Sequence, residues 1–376
     1  MRTLTGKAKI TPWVGAVLPA NGFQVIPSYH PAFVLRKPHY SPVLRIMIGR
    51  SLLVAQGAQI EAWPEIYIDY GSGTLSALES MEAAEWLGVD VETAGVKPLE
   101  DALLCIGIAS ETKLVSLPWP MEPTYEKRFR SLLAGKKLVM HNGQHDELSL
   151  ETHGVEGKNG FDTLLAHAIV APRLHHDLGF VAALEFLMDR WKSVFRVETD
   201  LKGAAVFTKR NAYELRTYNA KDSYVGLRLR APLVKRLHET HNGIELYDNL
   251  MRLARIGMVM RKHGLLVDQS KFTAHRERLI REAEKATTEF ALLASGAQLG
   301  KSGQHTSLKT LFFDTYKIRP LKYSDETRSP VLDKEMLRAI IARDDETSRV
   351  ARVVLSYRQF KKLQSTYLDG LPIYTD

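Results

Sequence analysis

The five residues Val89–Thr93 read Val-Asp-Val-Glu-Thr, and the rest of the chain is best interpreted outward from them. Successive side chains of a β-strand point to opposite faces of the sheet, so Asp90 and Glu92 share one face and the valines share the other. Adjacent carboxylates repel each other unless a cation lies between them, and Mg²⁺ or Mn²⁺ prefer oxygen ligands. Taken alone, the pattern fits either a metal site or a solvated acidic strand.

Two later segments contain polar residues that could join this pair. Asp146 follows a predicted strand at residues 137–140 and lies at its C-terminal end, where the sites of α/β folds gather. Asn142 or Asp146 could instead do no more than cap a helix. Tyr218 and Asp222 are four residues apart in a predicted helix and therefore share a face, an arrangement that is also common without function.

In this order and spacing the three segments resemble the motifs of the DEDDy 3′–5′ exonucleases, a ribonuclease-H-like family. The matching residues are Asp90 and Glu92 in the first motif, Asn142 and Asp146 in the second, and Tyr218 and Asp222 in the third. The stretch from Phe161 to Leu178 also resembles the middle region of this family. The resemblance covers about residues 84–238.

The resemblance implies two divalent metal ions, Mg²⁺ or Mn²⁺, held about 4 Å apart by carboxylates. It implies that one ion activates the attacking water, that the other stabilises the leaving 3′ oxygen, and that the tyrosine hydroxyl orients the water. The expected catalytic residues are Asp90, Glu92, Asp146, Tyr218 and Asp222, of which all but the tyrosine are expected metal ligands. The expected substrate contacts within the motifs are Thr93 and Asn142.

Composition changes divide the chain into three predicted parts. Residues 1–72 are rich in proline and glycine, and residues 71–76 (Gly-Ser-Gly-Thr-Leu-Ser) resemble a linker. Residues 77–240 alternate predicted strands and helices, which indicates an α/β layer fold with a mixed sheet and flanking helices. Residues 241–376 have helical patterns almost throughout, so we expect a separate helical segment there.

The helical segment resembles the thumb of family-A DNA polymerases, most clearly in the run Leu355–Leu368. Arg358, Lys361 and Lys362 fall on one helical face that could track a phosphate backbone, although a solvated basic face would look the same. No palm aspartates and no fingers helix can be placed in the sequence. We therefore expect no polymerase activity from this chain alone, as for a truncated gene product, one half of a split polymerase or a fragment prepared for study.

The N-terminal segment resembles part of a different DNA-directed enzyme. Val25–Arg36 is similar to the second motif of family-4 and family-5 uracil-DNA glycosylases, whose loop enters DNA beside a flipped base. The Gly-rich first motif is missing, so we expect a partial module that is inactive on uracil. His30 could contact DNA or could be a structural loop histidine. Fusion of such a module to a family-A polymerase is typical of bacteriophage replication genes.

Charge and cysteine content limit the classes of function. The formal net charge is +8, distributed as +3 over residues 1–80, −1 over residues 81–240 and +6 over residues 241–376. A nearly neutral middle between basic flanks fits a metal-binding centre between phosphate-binding segments, or chance variation. The single Cys105 excludes an intramolecular disulfide framework, a thiolate zinc site and a cysteine-ligated iron–sulfur cluster. We expect a cytoplasmic protein without membrane contact, in the bacterial host if phage-encoded.

The leading hypothesis is a metal-dependent 3′–5′ DNA exonuclease that proofreads for a family-A polymerase. It would release nucleoside monophosphates from single-stranded or frayed 3′ ends. One alternative is an RNA-trimming DEDDy exonuclease, against which the thumb-like helices argue. The other is a non-catalytic docking subunit that binds a separately encoded palm and fingers, against which the full set of active-site side chains argues.

Overall fold

The computed structural model describes residues 5–6, 10–192, 198–199, 205–206, 209–294, 299, 308–324 and 327–369. The chain divides into two compact units, Met1–Gly264 and Leu265–Asp376. Within the described ranges, none of the helices combines the length and the apolar character needed to cross a lipid bilayer.

The N-terminal part of the first unit is a small hairpin followed by two helices. Strands β1 (Leu18–Ala20) and β2 (Phe23–Val25) are antiparallel and joined by Asn21 and Gly22, both with positive φ. Asn-Gly in this conformation suits a two-residue hairpin turn. Helices α1 (Pro31–Arg36) and α2 (Ser41–Ala55) follow, and α2 is not evident in the sequence pattern.

A mixed six-stranded sheet forms the centre of the first unit, as far as the described residues show. Its order is β3-β6-β5-β4-β7-β8, with β4, β5 and β6 antiparallel, β3 parallel to β6, and β7 parallel to both β4 and β8. The strands are β3 (Glu65–Tyr67), β4 (Trp86–Thr93), β5 (Leu103–Ala109), β6 (Lys113–Pro118), β7 (Lys137–Met140) and β8 (Asn159–Asp162). The predicted mixed sheet is confirmed, although β8 was missed because it is short and polar at its ends.

Helices cover both faces of this sheet. The helices that follow β3 in chain order are α3 (Ser72–Ser80), α4 (Pro123–Gly135), α5 (Gln144–Thr152), α6 (Thr163–Val170), α7 (Leu178–Glu185) and α8 (Lys209–Glu239). One core cluster joins α3 and α4 to apolar side chains of the sheet such as Val89 and Val91. The other joins α6, α7 and α8 to the opposite face. A two-stranded ribbon, β9 (Glu198–Thr199) with β10 (Ala205–Val206), precedes α8.

The linker prediction for residues 71–76 is wrong, because α3 begins at Ser72. Thr74 is buried and its Oγ1 donates to Asp69 O over 2.6 Å, and Gly71 N donates to the Tyr125 hydroxyl over 2.6 Å. Packing against the sheet thus orders a stretch whose composition alone favours flexibility. Strand β3, which precedes the supposed linker, is an edge strand of the same sheet.

The first unit also extends beyond residue 240, where the sequence pattern placed its end. Helix α9 (Gly243–His263) packs against α5, α6 and α8. Its Tyr247 is buried, and the hydroxyl accepts a hydrogen bond of 2.7 Å from Asp162 N at the end of β8. The compact unit therefore ends at Gly264, which has a positive φ at the C-terminus of α9.

The second unit is helical in its described residues, as predicted. It comprises α10 (Gln269–Leu293), a π-helical turn at Thr310–Thr315, α11 (Lys334–Ile341), α12 (Glu346–Leu363) and a second π-helical turn at Gln364–Leu368. Asp333 and Asp345 cap α11 and α12 by accepting hydrogen bonds from backbone amides of the first turns. The core is formed by apolar faces of these helices around Phe290 and Phe312. Within this segment the sequence pattern predicts helices at 269–296 and 306–316, of which residues 295–296 and 306–307 lie outside the described residues.

Candidate active site

Strand β4 directs its two carboxylates toward α8. Val89 and Val91 are buried in the core on the α3 and α4 side, so the alternation predicted from the sequence is confirmed. On the opposite face, two glycines let α8 approach the backbone of the sheet. A Cβ on Gly88 would lie 1.9 Å from Ser223 O, and one on Gly107 would lie 2.6 Å from Asn219 Oδ1. Asp90 and Glu92 continue this glycine-lined face.

Asp90 is fixed by a buried amide on α8. Asn219 Nδ2 donates to Asp90 Oδ2 over 2.8 Å and to Asp90 O over 3.0 Å. The amide orientation is set from the other side, because Ser116 Oγ on β6 donates to Asn219 Oδ1 over 2.6 Å. Asn219 therefore ties β4, β6 and α8 together at the carboxylate.

Asp146 enters the same region from α5. It is 4% exposed, and its Oδ1 accepts a hydrogen bond of 2.9 Å from Val91 N, between the two acidic residues of β4. The turn before α5 is held by Asp162, which accepts from Asn142 N over 3.2 Å and from Gly143 N over 2.8 Å. Asn142 has φ 63°, so the turn is tight and brings α5 close to β4.

Tyr218 and Asp222 lie on the α8 face next to this cluster, together with a lysine. Lys192 Nζ donates to Asp222 Oδ2 over 2.7 Å and to the Tyr218 hydroxyl over 3.0 Å. Trp191 Nε1 donates to Asp222 Oδ1. The shared face predicted from the four-residue spacing is present, and each Asp222 oxygen accepts a hydrogen bond from the segment preceding α8.

The acidic residues influence one another electrostatically. Burial raises the pKa of Asp90 well above its ordinary value, and repulsion from Asp222, Asp146 and Glu92 raises it further. Burial and Asp222 raise the pKa of Glu92 to about 8, and burial raises the pKa of Asp146 to about 7. Three separate chain segments therefore bring four carboxylates into one electrostatic cluster, in which a nearby positive charge favours the ionised forms.

The cation present among these groups is Lys192. Burial alone would lower its pKa, but attraction to Asp222 and Tyr218 outweighs burial and raises it. Burial raises the pKa of Tyr218, with Asp222 adding to the effect. The lysine is therefore charged and the tyrosine is a neutral hydroxyl at neutral pH.

Divalent metal ions fit this set of donors. Hard oxygen ligands that repel one another are the chemistry that Mg²⁺ and Mn²⁺ bind. Among the described residues no three His, Cys, Asp or Glu side chains form a ready-made metal cluster. Three of the four carboxylates instead accept hydrogen bonds from Asn219, from Val91 N, and from Trp191 with Lys192.

The other residues of the first two motifs lie beside the cluster. Thr93 Oγ1 donates to Gly95 O over 2.6 Å and lies 3.1 Å from His145 Nε2. His141 Nδ1 is 2.8 Å from Thr163 Oγ1, and burial lowers the pKa of His141 to about 3, with Lys192 adding to the effect. Thr93 and Asn142 thus belong to the same two segments as Glu92 and Asp146, and their contact with substrate stays a prediction.

The remaining predicted DNA contacts are in other parts of the chain. His30 is exposed and caps α1, since its Nδ1 accepts from Ala32 N over 3.1 Å, which is the structural alternative. Arg358 is half-buried, and its Nη1 donates to Leu332 O over 2.7 Å within the second unit. Lys361 and Lys362 are exposed on the same helix α12. Contact of any of these residues with DNA stays a prediction.

A comparison with known families matches this part of the chain. Residues 67–238 match the model of the 3′–5′ exonuclease domain of family-A DNA polymerases. The chain carries a 3′–5′ exonuclease domain. Its sheet and flanking helices have the predicted ribonuclease-H-like fold, and its class of activity is that of a hydrolase acting on phosphodiester bonds.

One solved structure shares the fold over a longer stretch than the exonuclease domain. The POL domain of Pol1 from M. smegmatis, in complex with DNA primer-template and dNTP, is 17% identical with a TM-score of 0.56. The match covers 81% of this chain and 50% of the polymerase structure, so this chain spans half the length of that relative. NrnC of Brucella melitensis with bound Mg²⁺ is 17% identical over 55% of this chain and 100% of its own, with a TM-score of 0.39.

Sequence reasoning missed the residues that position the acidic side chains. Asn219, Trp191 and Lys192 were not singled out, although Asn219 stands between Tyr218 and Asp222. Asn219 has a detectable signal, because a polar residue on the inward face of a helix needs a buried partner. Trp191 and Lys192 have none, since they are brought to Asp222 by a connection without regular periodicity.

Proposed function

We propose that this protein is a metal-dependent DEDDy-type 3′–5′ DNA exonuclease that releases nucleoside monophosphates from single-stranded or frayed 3′ ends. The supporting observation is the electrostatic cluster of four carboxylates from β4, α5 and α8 with Tyr218 beside it. Asp90, Glu92, Asp146 and Asp222 are the residues that would hold two divalent ions, Mg²⁺ or Mn²⁺. Such ions lower the pKa of bound water and neutralise charge that develops at the phosphate.

Side chains and backbone amides of this chain orient the carboxylates. Asn219 holds Asp90, the Val91 amide holds Asp146, and Trp191 holds one oxygen of Asp222. The Tyr218 hydroxyl is protonated and can donate a hydrogen bond to an oxygen of the attacking water or the phosphate. Preorganised donors of this kind stabilise a transition state without reorganisation during the reaction.

We further propose that the exonuclease proofreads for a family-A polymerase in the cytoplasm, with a thumb-like second unit whose Arg358, Lys361 and Lys362 contact the DNA backbone. The fold shared with a polymerase over 81% of this chain supports this assignment. The N-terminal resemblance to uracil-DNA glycosylases, with His30 as a DNA contact, supports a phage-type arrangement. A separately encoded palm and fingers would be the polymerase partner, and the second unit would be its docking surface.

Hydrolysis of matched oligonucleotides tests the catalytic proposal. We expect Asp90→Asn and Asp222→Asn to lose at least about 10²-fold in the rate of 3′-end shortening of a 5′-labelled single strand in Mg²⁺. Glu111→Gln, an exposed acidic residue in the same domain, is the matched control and should keep wild-type activity. Retained activity in both Asn variants would overturn the assignment. Faster shortening of a matched RNA than of the DNA would instead favour the RNA-trimming alternative.

A further inference from the structure

A cavity of about 460 Å³ is lined in part by Tyr218 and Trp191. The same two residues take part in the hydrogen bonds around Asp222, because Trp191 donates to Asp222 and the Tyr218 hydroxyl lies 3.0 Å from Lys192 Nζ. A volume of this size is within the range of small-molecule sites and has room for one nucleotide. The cavity therefore shares two residues with the surroundings of the acidic cluster, although none of the four clustered carboxylates lines it.

The lining is rich in aromatic side chains. Trp13, Trp63 and Tyr213 line the cavity together with the two residues above. Trp63 packs edge-on against Trp191 with ring centroids 5.4 Å apart, and Lys221 Nζ lies 4.6 Å from the Trp63 ring centroid. Flat aromatic surfaces are stacking platforms for nucleobases, because every base has a π-face.

The charged residues of the lining carry both signs. Arg190 and Lys221 are basic, and Asp189 and Glu214 are acidic. Their formal charges cancel, so recognition of a base in this cavity would depend on its aromatic surfaces.

One wall of the cavity comes from outside the exonuclease domain. Trp13, Ala16, Val17, Leu18 and Pro19 belong to the N-terminal segment that ends in hairpin β1–β2, and Trp63 precedes β3. The exonuclease family match begins at residue 67. The N-terminal segment thus completes a site whose opposite wall is the Tyr213–Lys221 face of α8.

We propose that this cavity is a nucleobase-binding subsite that the N-terminal segment adds to the exonuclease domain. The inference rests on the proposed exonuclease function for its choice of ligand, a base of a single-stranded DNA substrate or of the released nucleoside monophosphate. Stacking on Trp13 and Tyr213 holds the base while its strand reaches the proposed catalytic carboxylates.

Binding measured without hydrolysis tests the subsite separately from catalysis. The full-length protein is titrated in EDTA with dAMP and with an oligonucleotide series in which one base, at the first, second or third position from the 3′ end, is replaced by an abasic residue. We expect one abasic position to weaken wild-type binding about tenfold, the range of base–aromatic stacking. We expect Trp13→Ala and Tyr213→Ala each to weaken binding of the intact strand by a similar factor. In these variants an abasic residue at that position should cause no further loss of affinity.

Controls and outcomes separate the possible results. Tyr213 is 54% exposed, so its truncation tests the site even if the Trp13→Ala protein fails to fold. Phe23→Ala, an exposed hairpin aromatic outside the cavity, should bind as wild type. If dAMP binds tightly and the abasic residue weakens binding at the 3′-terminal position, the site holds the product nucleotide. If the abasic residue weakens binding at an internal position instead, the site holds a base of the strand. An unchanged abasic penalty in both Ala variants overturns the subsite, even if the exonuclease is active.

Discussion

At the scale of single residues, the acidic cluster contains its own counter-ion. Lys192 Nζ lies 2.7 Å from Asp222 and 3.0 Å from the Tyr218 hydroxyl, in a region that also holds the buried Asp146 and the half-buried Asp90 and Glu92. The ammonium offsets part of the repulsion that would otherwise disfavour the folded state. The same group also occupies an Asp222 oxygen that the proposed metal ions would need, so the lysine and the ions would compete for Asp222.

Replacing this lysine should change stability and metal response together. We expect Lys192→Met to lower the free energy of unfolding in EDTA by about 3 kcal/mol, because it leaves Asp222 without its buried partner. Added Mg²⁺ should then stabilise the variant more than the wild type, since the ions restore the missing positive charge. Urea unfolding with and without Mg²⁺ measures both effects.

An exposed lysine provides the comparison for this experiment. Lys235 lies on α8 with its side chain 78% exposed and 4.0 Å from Glu239, so Lys235→Met should leave both quantities nearly unchanged. Equal Mg²⁺ stabilisation of Lys192→Met and wild type would contradict the competition between lysine and metal.

At the scale of elements, the site depends on how closely α8 lies on the sheet. Gly88 on β4 and Gly107 on β5 leave no room for a side chain beneath Asn219 and Ser223. Asp90 pairs with Gly107 across β4 and β5, so its carboxylate lies next to the contact between α8 and the sheet. Asn219 of α8 can therefore hold Asp90 by a hydrogen bond. The glycines are thus part of the geometry of the acidic cluster.

A methyl group at Gly88 should separate the helix from the sheet. The added Cβ would lie 1.9 Å from Ser223 O and 2.9 Å from Leu227 Cβ, so backbone must move. We expect Gly88→Ala to lower the free energy of unfolding by about 3 kcal/mol and to reduce exonuclease activity. Urea denaturation and the oligonucleotide assay are the measurements.

A glycine-to-alanine change within α8 should raise the free energy of unfolding instead of lowering it. Gly226 has no atom within 4 Å of an added Cβ, so Gly226→Ala should stabilise the helix by about 0.5 to 1 kcal/mol. If Gly88→Ala were as stable as wild type, close packing of α8 on β4 would not be needed for folding.

The sequence predicts the elements better than their connections. Alternation in β4 and four-residue spacing in α8 are local periodicities, and both place their acidic residues correctly. The helix at Ser72–Ser80 and the attachment of α9 to the first unit depend on tertiary contacts, Thr74 with Asp69 and Tyr247 with Asp162. Such contacts override a glycine- and serine-rich composition, and no local pattern reports them.

At the scale of the whole molecule, the fully buried His167 should make the stability of the first unit sensitive to acid. His167 is fully buried with Nδ1 2.8 Å from His176 Nδ1, and its Nε2 has no partner among the described residues. Burial lowers the pKa of His167 to about 4, and the neighbouring His176 and Arg236 add to the effect. Burial also lowers the pKa of His176.

These shifts predict a loss of stability on acidification. The folded-state pKa of His167 lies below its ordinary value of about 6.5, so the unfolded chain takes up the proton first as pH falls. The free energy of unfolding should therefore decrease between about pH 6.5 and pH 4, with up to about 3 kcal/mol from this residue. In His167→Asn the decrease over that range should be smaller. Urea midpoints measured across the pH range test it.

The control for this pH series is a solvent-exposed histidine. His263 lies at the C-terminus of α9, and His263→Asn should reproduce the wild-type slope. A wild-type slope in His167→Asn would mean that other groups determine the acid sensitivity of the first unit.

The four carboxylates differ in how much structural damage their replacement would cause in an engineered inactive enzyme, because only some of them accept hydrogen bonds from the described part of the chain. For three of the four, replacement also leaves a hydrogen-bond donor without its acceptor. The donor is Asn219 for Asp90, the Val91 amide for Asp146, and Lys192 with Trp191 for Asp222. Glu92 accepts no such bond from the described residues. Glu92→Gln is therefore the substitution that should silence the nuclease with the least damage to the scaffold, and it is the version best suited to trapping an uncut strand for structural work.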